Sequence, residues 1–201
     1  MKSDMWPCLL ALAVGVCVAS ADARADGQVI ERTETYAIAG TSGAELYASI
    51  GEHGPLVGEG VRTIAHTNFK LAWSRSYKPS GSACTLVSAR PKLTITYTLP
   101  RPAQKLPAAL QERWDVFIGG LRRHEKVHGD HIKEMVRRIE QTTIGVSVEN
   151  DPKCTKIREE IKKPLSEASL AQRQKSRDFD RVEMGEGGNI RRLVLDLVNG
   201  R

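Results

Sequence analysis

The sequence is poor in aromatic residues, contains few cysteines and has no internal repeat. Aromatic residues make up 5% of its 201 residues, and there are 4 cysteines. Apolar residues account for 40% and charged residues for 27%, without collagen-like or low-complexity bias. This length and composition favour one modest globular domain. Wholesale disorder and a multidomain architecture are therefore not expected.

The chain also lacks an apolar run of the roughly 20 residues that a membrane-spanning helix needs. An apolar stretch near the start, Trp6 to Val18, leads into small-residue sites at 19–21 and 23–25 and then into polar residues. This order is typical of a secretory signal peptide. We expect residues 1–25 to be cleaved and residues 26–201 to form the mature domain. The protein is then periplasmic or secreted and keeps no stable membrane span; a membrane anchor is the alternative.

Export changes what the cysteines predict. Cys8 and Cys17 leave with the signal peptide, so Cys84 and Cys154 remain in the mature chain. Two thiols in an oxidising compartment favour one disulfide. The closed loop would hold about 70 residues, which is worth roughly 4 kcal/mol at most in the loop-entropy model. Two separate buried thiols are the alternative.

The spacing of apolar residues in the first half of the mature chain predicts strands. Residues 28–38 read as a first strand, and Ser42 offers an N-cap for a short helix after it. Apolar and polar residues alternate from Thr67 to Tyr77 and again from Leu93 to Leu99. This period of two predicts two antiparallel strands with one solvated face.

The second half of the chain changes to helical spacing. From Leu110 to Ile139 the apolar residues recur every three or four positions, which predicts one long helix. A second helical region begins at Asp151-Pro152, is interrupted at Pro164 and continues to about Asp180. The expected fold is therefore α+β, with a small antiparallel sheet packed against a long helix and a second, C-terminal helical region.

Three histidines lie on the apolar face of the long helix. His124 and His128 belong to the pattern HExxH, with Glu125 between them. Histidines at i and i+4 lie about 6 Å apart along the helix axis, so both imidazoles can bind one Zn²⁺ at about 2.1 Å. Glu125 can then act as general base towards a zinc-activated water that attacks an amide carbonyl. Histidines that are merely hydrogen-bonded in the core are the alternative.

The third histidine and the third zinc ligand are less determined by the pattern. His131 faces the same way but lies roughly 10 Å along the axis from His124, so we expect it beside the ligands or in the substrate cleft. His128 with His131 is a competing pair, but it does not bracket the glutamate. The spacing leaves the following carboxylates open as third ligand: Glu159, Glu160, Glu167, Asp178, Asp180, Glu183 and Glu186.

Taken together, these residues resemble the family of secreted zinc-dependent proteases, themselves predicted, that is classed as domain of unknown function 922. The resemblance covers most of the mature chain. It is carried by Tyr36 to Gly40, Gly54-Pro55, Thr67-x-Phe69-x-Leu71-x-Trp73, Cys84, Leu99-Pro100, Trp114, His124-Glu125-x-x-His128 and Cys154. It implies a single zincin-like domain in which His124 and His128 bind zinc, Glu125 is the base and the two cysteines pair.

The chain departs from the family near its C-terminal end. Members close with a Tyr-Asp-x-x-Thr-x-His-Gly stretch whose histidine could complete the zinc site. This chain keeps Phe179-Asp180 but lacks the threonine and the histidine. Glu186 before Gly187 takes the place of that histidine if one residue is inserted, and glutamate is an acceptable zinc ligand. By this resemblance Glu186 is the expected third ligand.

Two functions follow from the sequence. The first is an exported zinc metallopeptidase that hydrolyses peptide or protein substrates. The second is a non-catalytic metal-binding or envelope-binding protein with a degenerate zincin site. The chain carries 30 Lys and Arg against 24 Asp and Glu, a net charge of +6, which favours approach to anionic envelope components. Nucleic-acid binding is not expected, because the basic residues show little aromatic interleaving and export removes the usual target.

Overall fold

The computed structural model describes residues 27–200, so the predicted signal peptide with Cys8 and Cys17 lies outside the described residues. The strands are β1 (Gln28–Ile38), β2 (Leu56–Val57), β3 (Val61–Arg62), β4 (His66–Ser80), β5 (Ala83–Pro102) and β6 (Ser147–Val148). The helices are α1 (Gly43–His53), α2 (Ala108–Thr143), α3 (Lys156–Glu160), α4 (Lys162–Met184) and α5 (Asn189–Asn199). The predicted α+β fold class is confirmed.

The main sheet has the strand order β1-β5-β4, with β6 paired to the start of β5. β4 and β5 form the predicted antiparallel pair. β1 runs parallel to β5, from Gln28 beside Lys92 to Ile38 beside Pro102. The sheet is therefore mixed, whereas the sequence predicted an antiparallel sheet. Alternation within a strand shows which face is buried, but not the direction of its neighbour.

One face of the sheet packs against α2. On β5 the buried residues Leu93, Ile95, Tyr97 and Leu99 alternate with threonines that are less buried. The second half of α2 packs its own apolar residues, among them Ile132 and Ile139, in one cluster with Leu93, Ile95 and Tyr97. The apolar face of β5 and the apolar face of α2, both predicted from their spacing, thus pack together in one core.

The first half of α2 packs against α5 and shares a core cluster with α1. Trp114, Phe117 and Leu121 form a second cluster with Leu193 and Leu197 of α5. Gly120 permits this contact, because a Cβ there would lie 2.2 Å from a methyl group of Leu193. α5 was not predicted from the sequence.

The C-terminal helices are fixed to the sheet by a covalent bond. Cys84 at the start of β5 and Cys154 just before α3 form a disulfide, which confirms the predicted pair. The sequence predicted a break in this helical region at Pro164. In the structure the break between α3 and α4 falls at Ile161 instead. Pro164 lies in the first turn of α4, where its missing N–H costs no hydrogen bond. Within residues 27–200 no helix combines the length and apolar character needed to cross a membrane.

Candidate metal centre

Three side chains from two helices converge on one point. The Nε2 atoms of His124 and His128 on α2 lie 3.1 Å apart. Oδ1 of Asp180 on α4 lies 3.2 Å from the first nitrogen and 2.8 Å from the second. Among the residues that the structure describes, this is the one group of three or more side chains with ligand atoms close enough to share a metal ion.

The spacing of these atoms suits a small tetrahedral cation. Ligand atoms about 2.0–2.1 Å from Zn²⁺ lie about 3.3 Å from one another in a tetrahedron. The three observed separations, 2.8, 3.1 and 3.2 Å, are slightly shorter. Oδ1 of Asp180 is buried and has no hydrogen bond of good geometry within residues 27–200. The Nε2 atoms of His124 and His128 nevertheless lie at ion-pair distance from it. A buried carboxylate oxygen aimed at two imidazole nitrogens fits a site that holds a cation.

Phe179 holds the three histidine rings in place. Its ring stacks on His124 with the centroids 4.8 Å apart and an interplanar angle of 21°. It meets His128 and His131 edge-on, at 5.5 and 5.9 Å. Because Phe179 precedes Asp180 on α4, one turn of this helix supplies both the carboxylate and the ring that packs on the histidines.

Glu183 faces the other nitrogen of His124. Its Oε2 atom lies 3.7 Å from Nδ1 of His124, which is buried and has no hydrogen bond within the described part of the chain. Asn189 Nδ2 donates to the same oxygen of Glu183 at 3.4 Å. Glu183 therefore lies on the side of the ring opposite the contact with Asp180, at ion-pair but not hydrogen-bond distance.

The carboxylate of Asp180 and the imidazoles of His124 and His128 shift the pKa values of Asp180 and His128. Burial raises the pKa of Asp180, but the imidazoles of His124 and His128 outweigh it and hold the pKa well below its usual range. Burial lowers the pKa of His128, but the carboxylates of Asp180 and Glu125 raise it by more. The site therefore keeps a negatively charged carboxylate beside two imidazoles.

Glu125 lies next to this group but is not one of its members. It is buried, with 5% of its surface exposed. The hydroxyl of Thr67 on β4 donates to Oε2 of Glu125 at 2.6 Å. His66, the preceding residue, is half-buried, and burial lowers its pKa while the charge of Glu125 opposes that shift.

His131 lies beside the site and not among the three convergent side chains. Its Nδ1 atom is 3.2 Å from the hydroxyl of Ser176 on α4. It also lines one end of a cleft of about 380 Å³ between α2 and α4, together with Glu134 and Lys175. The Nζ of Lys175 is 2.5 Å from a carboxylate oxygen of Glu134.

Of the carboxylates named from the sequence, the structure brings Asp180 to the histidines and leaves Glu186 outside the group. Glu186 is exposed, beyond the end of α4. Asp180 belongs to the Phe-Asp pair that the chain shares with the family pattern, and that retained pair was the feature that could have selected it. Thr67 and Phe179 were not named as site residues, because neither carries a group typical of metal binding.

A second polar cluster connects β1 to the same helix. Glu31 accepts hydrogen bonds from Tyr97 at 2.7 Å, from Lys133 at 3.0 Å and from Lys126. Burial raises the pKa of Glu31, but these donors outweigh it and lower the pKa to about 2. The cluster anchors the edge strand to the face of α2 that carries Lys126 and Lys133.

Comparison with known proteins identifies a family for this chain. A family model described as a bacterial protein of unknown function (DUF922) matches residues 33–188. No curated protein and no solved structure matches the chain. The matched region includes the three convergent side chains, Glu125, Thr67 and both cysteines of the disulfide.

Proposed function

The chain belongs to the DUF922 family of bacterial proteins of unknown function, and we propose that it is an exported zinc-dependent peptidase. In this proposal His124, His128 and Asp180 hold the zinc ion, and Glu125 is the general base. The observation that carries it is the buried Oδ1 of Asp180, 2.8 and 3.2 Å from the two Nε2 atoms of an HExxH helix. Asp180 replaces Glu186 as the third ligand.

The donor set supports zinc. Two imidazole nitrogens and one carboxylate oxygen are the ligand types of catalytic zinc sites, which leave a fourth position for water or substrate. When bound, zinc supplies Lewis acidity that makes a water molecule acidic near neutral pH. The side chain of Asp180 is 40% exposed and that of His128 13% exposed, so both residues lie at the edge of the protein surface, although Oδ1 of Asp180 itself is buried.

In the proposed reaction Glu125 handles the proton. Its carboxylate takes a proton from the attacking water and later delivers it to the nitrogen of the departing amine. Because Glu125 is buried, its carboxylate is held in a fixed place within a site of low dielectric constant. The ring of His124 is held by stacking on Phe179, and the carboxylate of Glu125 is held by its hydrogen bond from Thr67.

The disulfide supports the exported location. Cys84 and Cys154 are bonded, and structural disulfides persist in oxidising compartments such as the periplasm or the extracellular space. This agrees with the signal peptide expected at residues 1–25. We therefore assign the mature protein to the periplasm or the exterior of the cell as part of the proposal.

A non-catalytic metal-binding or envelope-binding protein is the second candidate. It is favoured by the sheet face that α2 does not cover, where the exposed cations Lys70, Arg90 and Lys92 lie on one side. A positive face of this kind attracts anionic envelope polymers. In that case the three convergent side chains, His124, His128 and Asp180, would have no hydrolytic role.

Glu125→Gln separates the two candidates. The zinc-loaded mature protein is incubated with a diverse peptide library, and new termini are counted by mass spectrometry. The peptidase predicts cleavage that falls at least about 100-fold in Glu125→Gln, with the zinc content unchanged. The exposed Glu186→Gln is the matched control and keeps activity. Absence of cleavage by the zinc-loaded wild type, or full activity in Glu125→Gln, would contradict the proposal.

A further inference from the structure

Thr67 makes a close contact with the proposed general base. Its Oγ1 lies 2.6 Å from Oε2 of Glu125 and 3.1 Å from the backbone oxygen of the same residue. A hydroxyl has a single proton to donate, and the shorter contact to the charged oxygen is the stronger of the two. Thr67 therefore binds one defined oxygen of the Glu125 carboxylate.

The position of Thr67 is fixed by the sheet. It is the second residue of β4 and pairs with Tyr97 on β5. The Tyr97 ring in turn lies directly on α2, since a Cβ at Gly129 would be 2.1 Å from its hydroxyl. The contact between Tyr97 and Gly129 thus sets the distance between the sheet and α2, one turn of the helix beyond Glu125.

We propose that Thr67 is a positioning residue for Glu125, an inference that rests on the proposed function. By holding Oε2, the hydroxyl fixes the rotation of the carboxylate and leaves Oε1 as the oxygen that accepts the proton. Thr67 is neither one of the three proposed zinc ligands nor part of the lining of the α2–α4 cleft. It acts through Glu125.

Three variants test this assignment. Thr67→Val keeps the shape but removes the donor, and Thr67→Ser keeps the donor. Thr94→Val is the matched control, because Thr94 lies on β5 with its side chain on the opposite face of the sheet. If Thr67→Val does not fold, Thr67→Cys replaces it, since a thiol is only a weak donor.

The expected kinetic result is a loss in kcat alone. Thr67→Val lowers kcat about 10- to 100-fold, the range typical of a partner that orients a functional side chain, while KM and zinc content stay unchanged. Thr67→Ser restores kcat to nearly the wild-type value, and Thr94→Val has no effect. An unchanged kcat in Thr67→Val, or a loss that Thr67→Ser does not rescue, overturns the assignment.

A structural readout keeps this inference separate from the proposed function. Crystal structures of zinc-loaded wild type and Thr67→Val are compared at Glu125. A rotated or displaced carboxylate in the variant supports positioning by Thr67, even if the wild type cleaves no peptide and the peptidase proposal fails. A carboxylate that stays in place in Thr67→Val overturns the inference, whatever the activity.

Discussion

The Nε2 atom of His128 on α2 lies 2.8 Å from Oδ1 of Asp180 on α4. This contact joins α2, which carries HExxH, to α4. The chain reaches α4 through α3, just after the disulfide-bonded Cys154. The proposed metal site therefore depends on how α2 and α4 pack and not on one sequence motif. Changes that loosen α4 should weaken metal binding even when HExxH is intact.

Asp180→Asn tests the third ligand. The amide keeps the shape of the side chain but loses its charge, so zinc affinity should fall by more than the roughly 10- to 100-fold typical of residues that contact a ligand without binding the metal. Affinity is measured by competition with a chromophoric chelator. Glu186→Gln is the control and should bind zinc as the wild type does. A loss in Glu186→Gln with full affinity in Asp180→Asn would favour the ligand that the sequence predicted.

Gly129→Ala tests the contact between α2 and the sheet. A Cβ at this position would lie 2.1 Å from the hydroxyl of Tyr97, which is held by its hydrogen bond to Glu31. We expect a loss of about 1–3 kcal/mol in the free energy of unfolding, as in other overpacked positions. Gly119→Ala is the matched control, because its Cβ would meet a guanidinium nitrogen of Arg123 at 3.6 Å, which is ordinary van der Waals contact. That variant should gain up to about 1 kcal/mol from helix propensity.

Chemical denaturation measures both glycine variants. The two substitutions on the same helix should change the free energy of unfolding in opposite directions. An equal increase in the free energy of unfolding for both variants would show that Tyr97 leaves room for a Cβ at Gly129.

Removal of the disulfide tests how firmly the C-terminal helices are held. The bond spans 70 positions of the sequence. Replacement of both Cys84 and Cys154 by serine should lower the free energy of unfolding by about 2–5 kcal/mol, measured by urea denaturation. The reduced wild type should show the same loss, and an unchanged midpoint in either sample would contradict it.

The Glu31 cluster predicts a dependence of stability on pH. The pKa of Glu31 is lowered from its ordinary 4.5 to about 2 in the folded protein. Its contribution is therefore complete above about pH 4.5 and is lost as the pH falls towards 2. Glu31→Gln should cost about 1–2 kcal/mol at neutral pH, and the difference from wild type should shrink between pH 4.5 and 2.

Urea denaturation at a series of pH values checks this prediction. Glu34→Gln is the control, since Glu34 lies on the same strand with 59% of its side chain exposed and is paired with Arg32 at 3.7 Å. A difference between wild type and Glu31→Gln that grows on acidification would contradict the assigned sign.

Local patterns allowed much of the fold to be predicted. The alternation on β4 and β5 and the helical spacing from Leu110 to Ile139 each repeat many times, so the strands and α2 lie where the sequence predicted them. The disulfide followed from two cysteines and an expected oxidising compartment. The parallel direction of β1 was missed, since the residues of a strand do not encode the direction of its neighbour.

The site was only partly predictable for a related reason. His124, Glu125 and His128 lie within one turn of a helix, where spacing alone determines which side chains share a face. Asp180 and Thr67 reach the site from α4 and β4, and their positions depend on the packing of those elements against α2. Seven carboxylates satisfied the sequence argument, and only tertiary structure distinguishes Asp180 from Glu186.

The zinc content of the purified mature protein tests the proposed metal centre of His124, His128 and Asp180. After dialysis against metal-free buffer, inductively coupled plasma mass spectrometry should find one zinc ion per chain in the wild type. His128→Ala should retain almost none, because it loses one of the two imidazoles. A wild type without bound zinc, or a His128→Ala variant that retains a full equivalent, would contradict the proposed metal centre.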